Sequence, residues 1–166
     1  PPRSTLFPYT TLFRSDPYVR GMFFNIGLNT GKRQLLRAVL EGMAFNFRWL
    51  LDAVELKAPA QPNVRFVGGG AKSSATCQIL ADITGKVIET TCEPQNAGAA
   101  GAAIICGVGL GMIPDFKSAK ELIPVKEIFH PRAEYRKLYE QNYAVFKQLY
   151  ENRSEEHTSE LQSPNT

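Results

Sequence analysis

Histidine, tryptophan and cysteine are scarce: the 166 residues include two His, one Trp and three Cys, and none of the cysteines stands in C-x-x-C spacing. A zinc or iron–sulfur cluster needs four well-spaced N or S ligands, and a disulfide framework needs an even, dense set of thiols, so both are excluded. Cys77, Cys92 and Cys106 read instead as reduced, buried thiols of a cytoplasmic protein. No apolar run reaches the roughly 18 to 20 residues of a membrane span, and no leader of charged start, apolar core and small-residue cleavage site opens the chain, so no membrane partner is expected. Charge of one sign is lacking too. Lys and Arg number 19 against 16 Asp and Glu, a net +3 spread along the chain, so no nucleic-acid partner is expected. What remains is an ordinary globular composition, 43% hydrophobic and 21% charged, at a length that allows one domain.

The two ends differ from the middle. Thr5 to Ser15 reads TLFPYTTLFRS and Arg153 to Ser163 reads RSEEHTSELQS, and each resembles the translation of a sequencing-library adapter. On this reading residues 1–15 and most of 153–166 are adapter-derived, and 16–152 is the biological insert. Setting the ends aside removes three charges of each sign, so the balance stands. Such an insert need not respect domain borders and is expected to be a piece of a larger protein, incomplete at its N-terminus.

Within the insert, Tyr18 to Leu28 fits a short strand or extended arm. From Lys32 to Leu56 apolar residues recur at three- and four-residue steps, which predicts a long helix with Thr30 available as its cap and Gly42 in close backbone contact. Pro59 and Pro62 end it. Val64 to Val67 reads as a strand, Gly68-Gly69-Gly70 as a turn, and Ser73 to Thr84 as a helix closed by Gly85. Lys86 to Thr91 has the β-branched content of a second strand, Pro94 marks a turn, and Ala97 to Cys106 is a helix of small residues. After a loop from Gly107 to Phe116 come a short helix at Ser118 to Leu122 and an extended stretch at Val125 to Phe129. Arg132 to Glu151 is a last amphipathic helix, with Tyr135, Leu138, Tyr139, Asn142, Phe146, Leu149 and Tyr150 on one face.

The chemistry points to Gly68-Gly69-Gly70-Ala71-Lys72-Ser73-Ser74. A strand running through glycines into a helix aims several main-chain N–H groups at one spot, which suits a phosphate. Ser73 or Ser74 caps the helix and leaves the other hydroxyl for a ligand, and Lys72 adds a charge. The P-loop pattern fails because Ala71 separates Gly70 from Lys72, and the dinucleotide fingerprint fails because position 73 is Ser.

Three blocks in order then carry a resemblance: Arg37-Ala38-Val39-Leu40-Glu41-Gly42, VRFVGGGAKSSATCQILADITG from Val64 to Gly85, and Pro94-Gln95-Asn96-Ala97-Gly98-Ala99-Ala100-Gly101-Ala102-Ala103. Together they resemble the C-terminal nucleotide-binding domain of the FGGY carbohydrate kinases, most closely the xylulokinase members, and nearly the whole insert lies inside the resemblance. It implies an α/β fold, a partial actin-like (ribonuclease-H-like) ATPase domain, helix-rich with a short incomplete sheet. It implies ATP and Mg²⁺ as cofactors of the parent protein and a ketose or polyol as its substrate. The nucleotide-holding residues it implies are Gly69, Gly70, Ala71, Lys72, Ser73, Ser74 and Asn96.

The family's general base and its other phosphate loops precede the insert, and none of Asp16, Asp52, Asp82 or Asp115 matches that base, so no catalytic residue and no metal ligand is expected here. Phosphoryl transfer needs nucleotide and acceptor held in line from both sides, and half a cleft is expected to be inactive alone. Asp82 reads as a structural helix-end residue, Glu41 as a partner for a backbone group or an Arg, His130 as a surface turn residue, and Phe45, Phe47 and Trp49 as core or interface aromatics. A sheet lacking preceding strands is expected to expose an edge and to dissolve poorly. Two other readings of the glycine turn stand beside the kinase: an actin- or chaperone-type nucleotide-binding module without sugar chemistry, and a Rossmann-type NAD-binding domain.

Overall fold

A computed structural model describes residues 22–161, with side chains described over 22–119 and 121–150. The adapter-like stretch 1–15, Asp16, residues 18–21 of the expected arm and residues 162–166 lie outside them. Two compact units are present: one takes the residues up to Pro59 and from Tyr135 onward, the other is Ala60–Glu134.

The first unit is a helix pair. Its entry, Met22 to Leu28, is an arm without strand pairing. α1 (Lys32–Glu55) starts after Gly31, not Thr30. Gln34 Oε1 accepts from the Gly31 N–H at 3.1 Å, while the Thr30 hydroxyl closes the preceding turn by accepting from the Gly27 N–H at 3.0 Å. Gly42 makes no close approach, since a Cβ there would meet nothing within 4 Å. α4 (Arg136–Leu161) begins later than expected, after a 3-10 turn at Ala133–Tyr135, and its helical backbone continues through the adapter-like residues to Leu161.

Aromatic rings hold the pair together. Phe45 of α1 stacks on Tyr143 of α4 at 5.9 Å and meets Tyr139 edge-on at 6.2 Å, and Trp49 meets Tyr150 edge-on at 5.0 Å. Tyr143, absent from the expected face, is thus central to it, whereas Leu138 and Phe47 are exposed on other sides of their helices. Polar bonds border the rings. Glu41 accepts from Arg37 Nε at 2.7 Å and from the Tyr139 hydroxyl at 2.8 Å, which makes Arg the partner expected for it. Arg48 pairs with Glu140 at 2.7 Å, holding that carboxyl below the usual range, and its guanidinium lies 4.2 Å over the Tyr143 ring.

The Tyr143 hydroxyl donates to Asp52 Oδ2 at 2.8 Å. Burial first, then this bond to a carboxylate, pushes the Tyr143 phenol up, and burial pushes Tyr139 up as well. A raised folded value means that the stability contributed is whole below the unfolded phenol range near pH 10 and is lost as pH rises through the folded values. Tyr143→Phe is therefore expected to cost about 1 kcal/mol at neutral pH through the lost hydrogen bond. It should also flatten the decline in melting temperature above about pH 10 relative to the parent chain. An unchanged alkaline slope would count against Tyr143.

The second unit is a small sheet with its helices: β1 (Asn63–Arg65), α2 (Ser74–Thr84), β2 (Val87–Thr91), α3 (Ala97–Gly109) and β3 (Val125–Phe129). Strand order is β1-β2-β3. β1 runs parallel to β2, with Val64 opposite Ile88, and β3 runs antiparallel to β2, with Ile128 opposite Glu89 and an irregularity at Thr90/Thr91. Among the described residues β1 and β3 are the outer strands. β1 ends earlier than expected, although the Phe66 N–H still donates to the Glu89 carbonyl at 2.8 Å. α2 is bounded as its sequence predicts: the Ser73 hydroxyl accepts from the Thr76 N–H at 3.3 Å, and Gly85, at φ 70°, closes it in the left-handed region that favours glycine.

The core is Cys77, Ile79, Leu80, Ala81 and Ile83 of α2 against Ile88 of β2. α3 runs three residues further than expected and has no buried residue. Of the three thiols expected to be buried only Cys77 is, with Cys92 and Cys106 exposed. Apolar composition foretells burial only where an element covers the face. Among the described residues no helix is long and apolar enough to cross a membrane.

Candidate functional site

Two turns lie side by side at the carboxyl ends of the parallel strands β1 and β2. β1 leads through Phe66 and Val67 into a 3-10 turn at Gly69–Lys72 and then α2; β2 leads into a 3-10 turn at Pro94–Asn96 and then α3. The Gly68 N–H donates to the Pro94 carbonyl at 2.7 Å and joins the two turns. Parallel strands point both exits the same way, so the N-terminal starts of α2 and α3 follow neighbouring turns. In open α/β sheets this carboxyl edge is where ligands bind.

Glycine is needed at two positions for different reasons. Gly68 has φ 94° and ψ −177°, a conformation that L side chains rarely adopt. At Gly70 a Cβ would stand 3.2 Å from the Phe66 ring, whereas at Gly69 it would meet nothing. Gly68, outside the expected contact set, is thus the residue that permits the reversal; the first glycine after a strand was the available signal.

The amide groups can be accounted for one by one. Ala71 N–H bonds the Gly68 carbonyl and Ser73 N–H the Gly70 carbonyl, each at 3.2 Å, and Cys77 N–H bonds the Ser73 carbonyl at 3.0 Å. The Thr76 N–H is taken by the Ser73 cap. The first N–H groups of a turn or helix have no partner inside it, which leaves those of Gly69, Gly70, Ser74 and Ala75 for an acceptor from outside. Gly69, Gly70, Lys72, Ser73 and Ser74 are exposed, so among the described residues this turn faces solvent. The helix dipole adds a partial positive charge there, suited to an anion.

The expected side chains divide by role. Ser73 is the cap, which leaves the Ser74 hydroxyl free of that duty. Ala71 is buried, and its carbonyl accepts from Cys77 Sγ at 3.7 Å, anchoring the turn from beneath. Burial, chiefly, pushes that thiol up, away from the thiolate. Asn96 stands at the cap position of α3, yet its side chain makes no capping bond, and its N–H donates to the Glu93 carbonyl at 2.9 Å. Gly69, Gly70, Ala71, Lys72, Ser73 and Ser74 thus share one turn and helix start, and Asn96 sits on the neighbouring turn. Gln95 Nε2 donates to the Glu93 carboxylate beside it. Among the described residues no group of three or more His, Cys, Asp or Glu could hold a metal ion.

A strand, a turn and a helix occurring twice at the carboxyl edge of a parallel pair, with glycine in the first of the two turns, is an arrangement of the class of α/β proteins that hold an anionic ligand on main-chain amides. The chain belongs to the FGGY family of carbohydrate kinases: residues 7–110, more than half of it, match the model of that family's C-terminal domain. It is 34% identical over 139 residues to a xylulose kinase of Staphylococcus epidermidis, a match covering 81% of this chain and 27% of that protein. It is 32% identical over 123 residues to a glycerol kinase of Saccharolobus islandicus, covering 70% of this chain and 23% of that protein. In fold it is similar to the crystal structure of ligand-bound xylulose kinase from Lactobacillus acidophilus, with a TM-score of 0.74 at 21% identity over 82% of this chain and 28% of that one. The chain therefore spans about a quarter of the length of these proteins. Its fold is part of the helix-rich α/β, actin-like ATPase fold of these kinases, with a small three-stranded sheet among the described residues. The family match also sets aside the NAD-binding reading.

Proposed function

We propose that this chain supplies one wall of the nucleotide site of an ATP-dependent carbohydrate kinase, whose substrate is a ketose such as xylulose or a polyol and which works in the cytoplasm. The observation that carries the reading is the set of uncommitted amides at Gly69, Gly70, Ser74 and Ala75, opened by the positive-φ Gly68 at the carboxyl edge of a parallel strand pair. ATP fits this cradle, and when bound it supplies the phosphoryl group that is transferred. Gly69 and Gly70 let the phosphates approach the main chain, Ser74 offers a hydroxyl, Lys72 a charge, Ala71 and Ser73 hold the turn in shape, and Asn96 offers an unspent amide from the neighbouring turn. We assign none of the described carboxylates to taking a proton from a sugar hydroxyl, because the resemblance puts the family's general base ahead of this stretch. Mg²⁺, used throughout this chemistry, would be held largely by the phosphates and water, and no residue of this chain is assigned to it.

An orienting surface on one side of a phosphoryl group gives binding without turnover, because charge compensation and acceptor alignment come from both sides. The 166-residue chain is thus expected to bind ATP weakly, at about millimolar concentration, and to release no ADP with xylulose or glycerol. In a nitrogen–proton correlation experiment, ATP should shift the amides of Gly69, Gly70, Ser74, Ala75 and the Asn96 side chain and leave the helix pair unmoved. Shifts confined to other residues, equal shifts with NADH, or ADP release by the chain alone would each overturn the reading. ATP shifts in a longer protein that phosphorylates no sugar would favour the non-enzymatic module instead.

A further inference from the structure

We propose that the Asp82–Arg132 pair is a positioning device for the glycine turn: it fixes the register of α2 on the sheet and so aims the amides at the opposite end of that helix. The inference rests on the nucleotide reading only for what those amides hold.

The Asp82 side chain is 0% exposed. It accepts from Arg132 Nη2 at 2.6 Å, from Arg132 Nε at 3.1 Å, from the Arg132 main-chain N–H at 2.9 Å and from Gln78 Nε2 at 3.0 Å. Gln78 Nε2 also donates to the His130 carbonyl at 2.9 Å. Two successive turns of α2 are thereby tied to the three residues that leave β3.

The other buried residues of α2, Cys77, Ile79, Leu80, Ala81 and Ile83, hold the helix down through apolar contact. Such contact is non-directional and tolerates small slips and rotations. An ion pair drawn from water adds little net stability over apolar residues of the same volume, and its best-attested use is to select one register. A forked guanidinium on a fixed carboxylate, with a main-chain bond beside it, has one geometry. α2 is 11 residues long, about 16 Å, and moves as a rod. A slip at Asp82 therefore displaces Ser74 and Ala75 equally, and with them the turn bonded to Ser73 through the Gly70 carbonyl.

The test uses the 166-residue chain and needs no nucleotide. In the double variant Asp82→Leu/Arg132→Met the charges are replaced by apolar volume, so the melting temperature should hold or rise. The amides of Gly69, Gly70, Ser74 and Ala75 should nonetheless shift, and the hydrogen-bonded amides of the same turn, those of Ala71, Ser73 and Thr76, should exchange with deuterium about tenfold faster, although Ser74 lies about 12 Å along the helix from Asp82. Arg132→Lys keeps the charge and loses the fork, and should perturb the same amides less. A folded double variant whose turn amides keep their shifts and exchange rates overturns the proposal. Should the double variant not fold, Arg132→Lys decides: perturbed turn amides with protected core amides support the proposal, and unperturbed ones overturn it. Absence of ATP binding by the parent chain would sink the nucleotide reading and leave this result standing.

Discussion

Arg132→Ala is expected to cost about 3 to 5 kcal/mol, and Asp82→Ala clearly less, although the two side chains form one pair. The asymmetry follows from exposure: the Asp82 side chain is 0% exposed and that of Arg132 41%. Removing the arginine strands a carboxylate away from water with its countercharge gone and only two neutral donors left, the main-chain N–H of residue 132 and Gln78 Nε2, both on Oδ1. Removing the aspartate leaves a guanidinium that already reaches solvent and needs only to turn outward, so the loss falls to about 1 to 2 kcal/mol of packing and hydrogen bonding. Urea unfolding followed by circular dichroism measures both, provided the slope with denaturant is unchanged. Equal losses, or the reverse order, would mean that Asp82 is solvated in ways its burial denies.

Phe45→Ala is the other large effect, about 3 to 5 kcal/mol for the helix pair. Phe45 is nearly fully buried and touches three rings of α4, those of Tyr139, Tyr143 and Phe146, so its removal opens a cavity that those rings, each fixed by other contacts, fill poorly. Phe47→Ala, two residues away at an exposed position, is the control and should cost under about 1 kcal/mol. Trp49, the single tryptophan, sits edge-on to Phe146 and Tyr150 in the same seam, so its emission reports the unfolding of this pair. Similar losses for the two phenylalanines would contradict the seam.

Local punctuation was the most legible part of the fold. Ser73 and Gly85 bound α2 because capping and the left-handed closing turn are decided within a few residues, and the glycine run between strand and helix announces its own geometry. The placement of the candidate contacts on two adjacent turns followed from the family blocks; their adjacency is a matter of strand pairing, which no single segment encodes. Long-range polar partners were illegible. Nothing near Asp82 marks Arg132, and nothing near Asp52 marks Tyr143, since each pair meets only after the chain has turned back on itself. Burial was misread where composition stood in for environment. Cys92 is exposed although it directly follows the buried Thr90 and Thr91, Cys106 is exposed on a helix with no buried residue, and Gly42, small for no local reason, has open space around it. Thr30 lost the cap position because its hydroxyl was already committed to Gly27.

The division of the molecule bears on the sequence of its folding. β1, α2 and β2 are consecutive, and their parallel pairing closes within residues 63–91. The helix pair joins stretches on either side of Ala60–Glu134. Loop closure must be met before distant contacts reward it, so short-range assembly is favoured kinetically. The segment bearing the glycine turn is therefore expected to acquire its shape ahead of the two long helices, and a nascent chain would carry that cradle before its last helix had been synthesised.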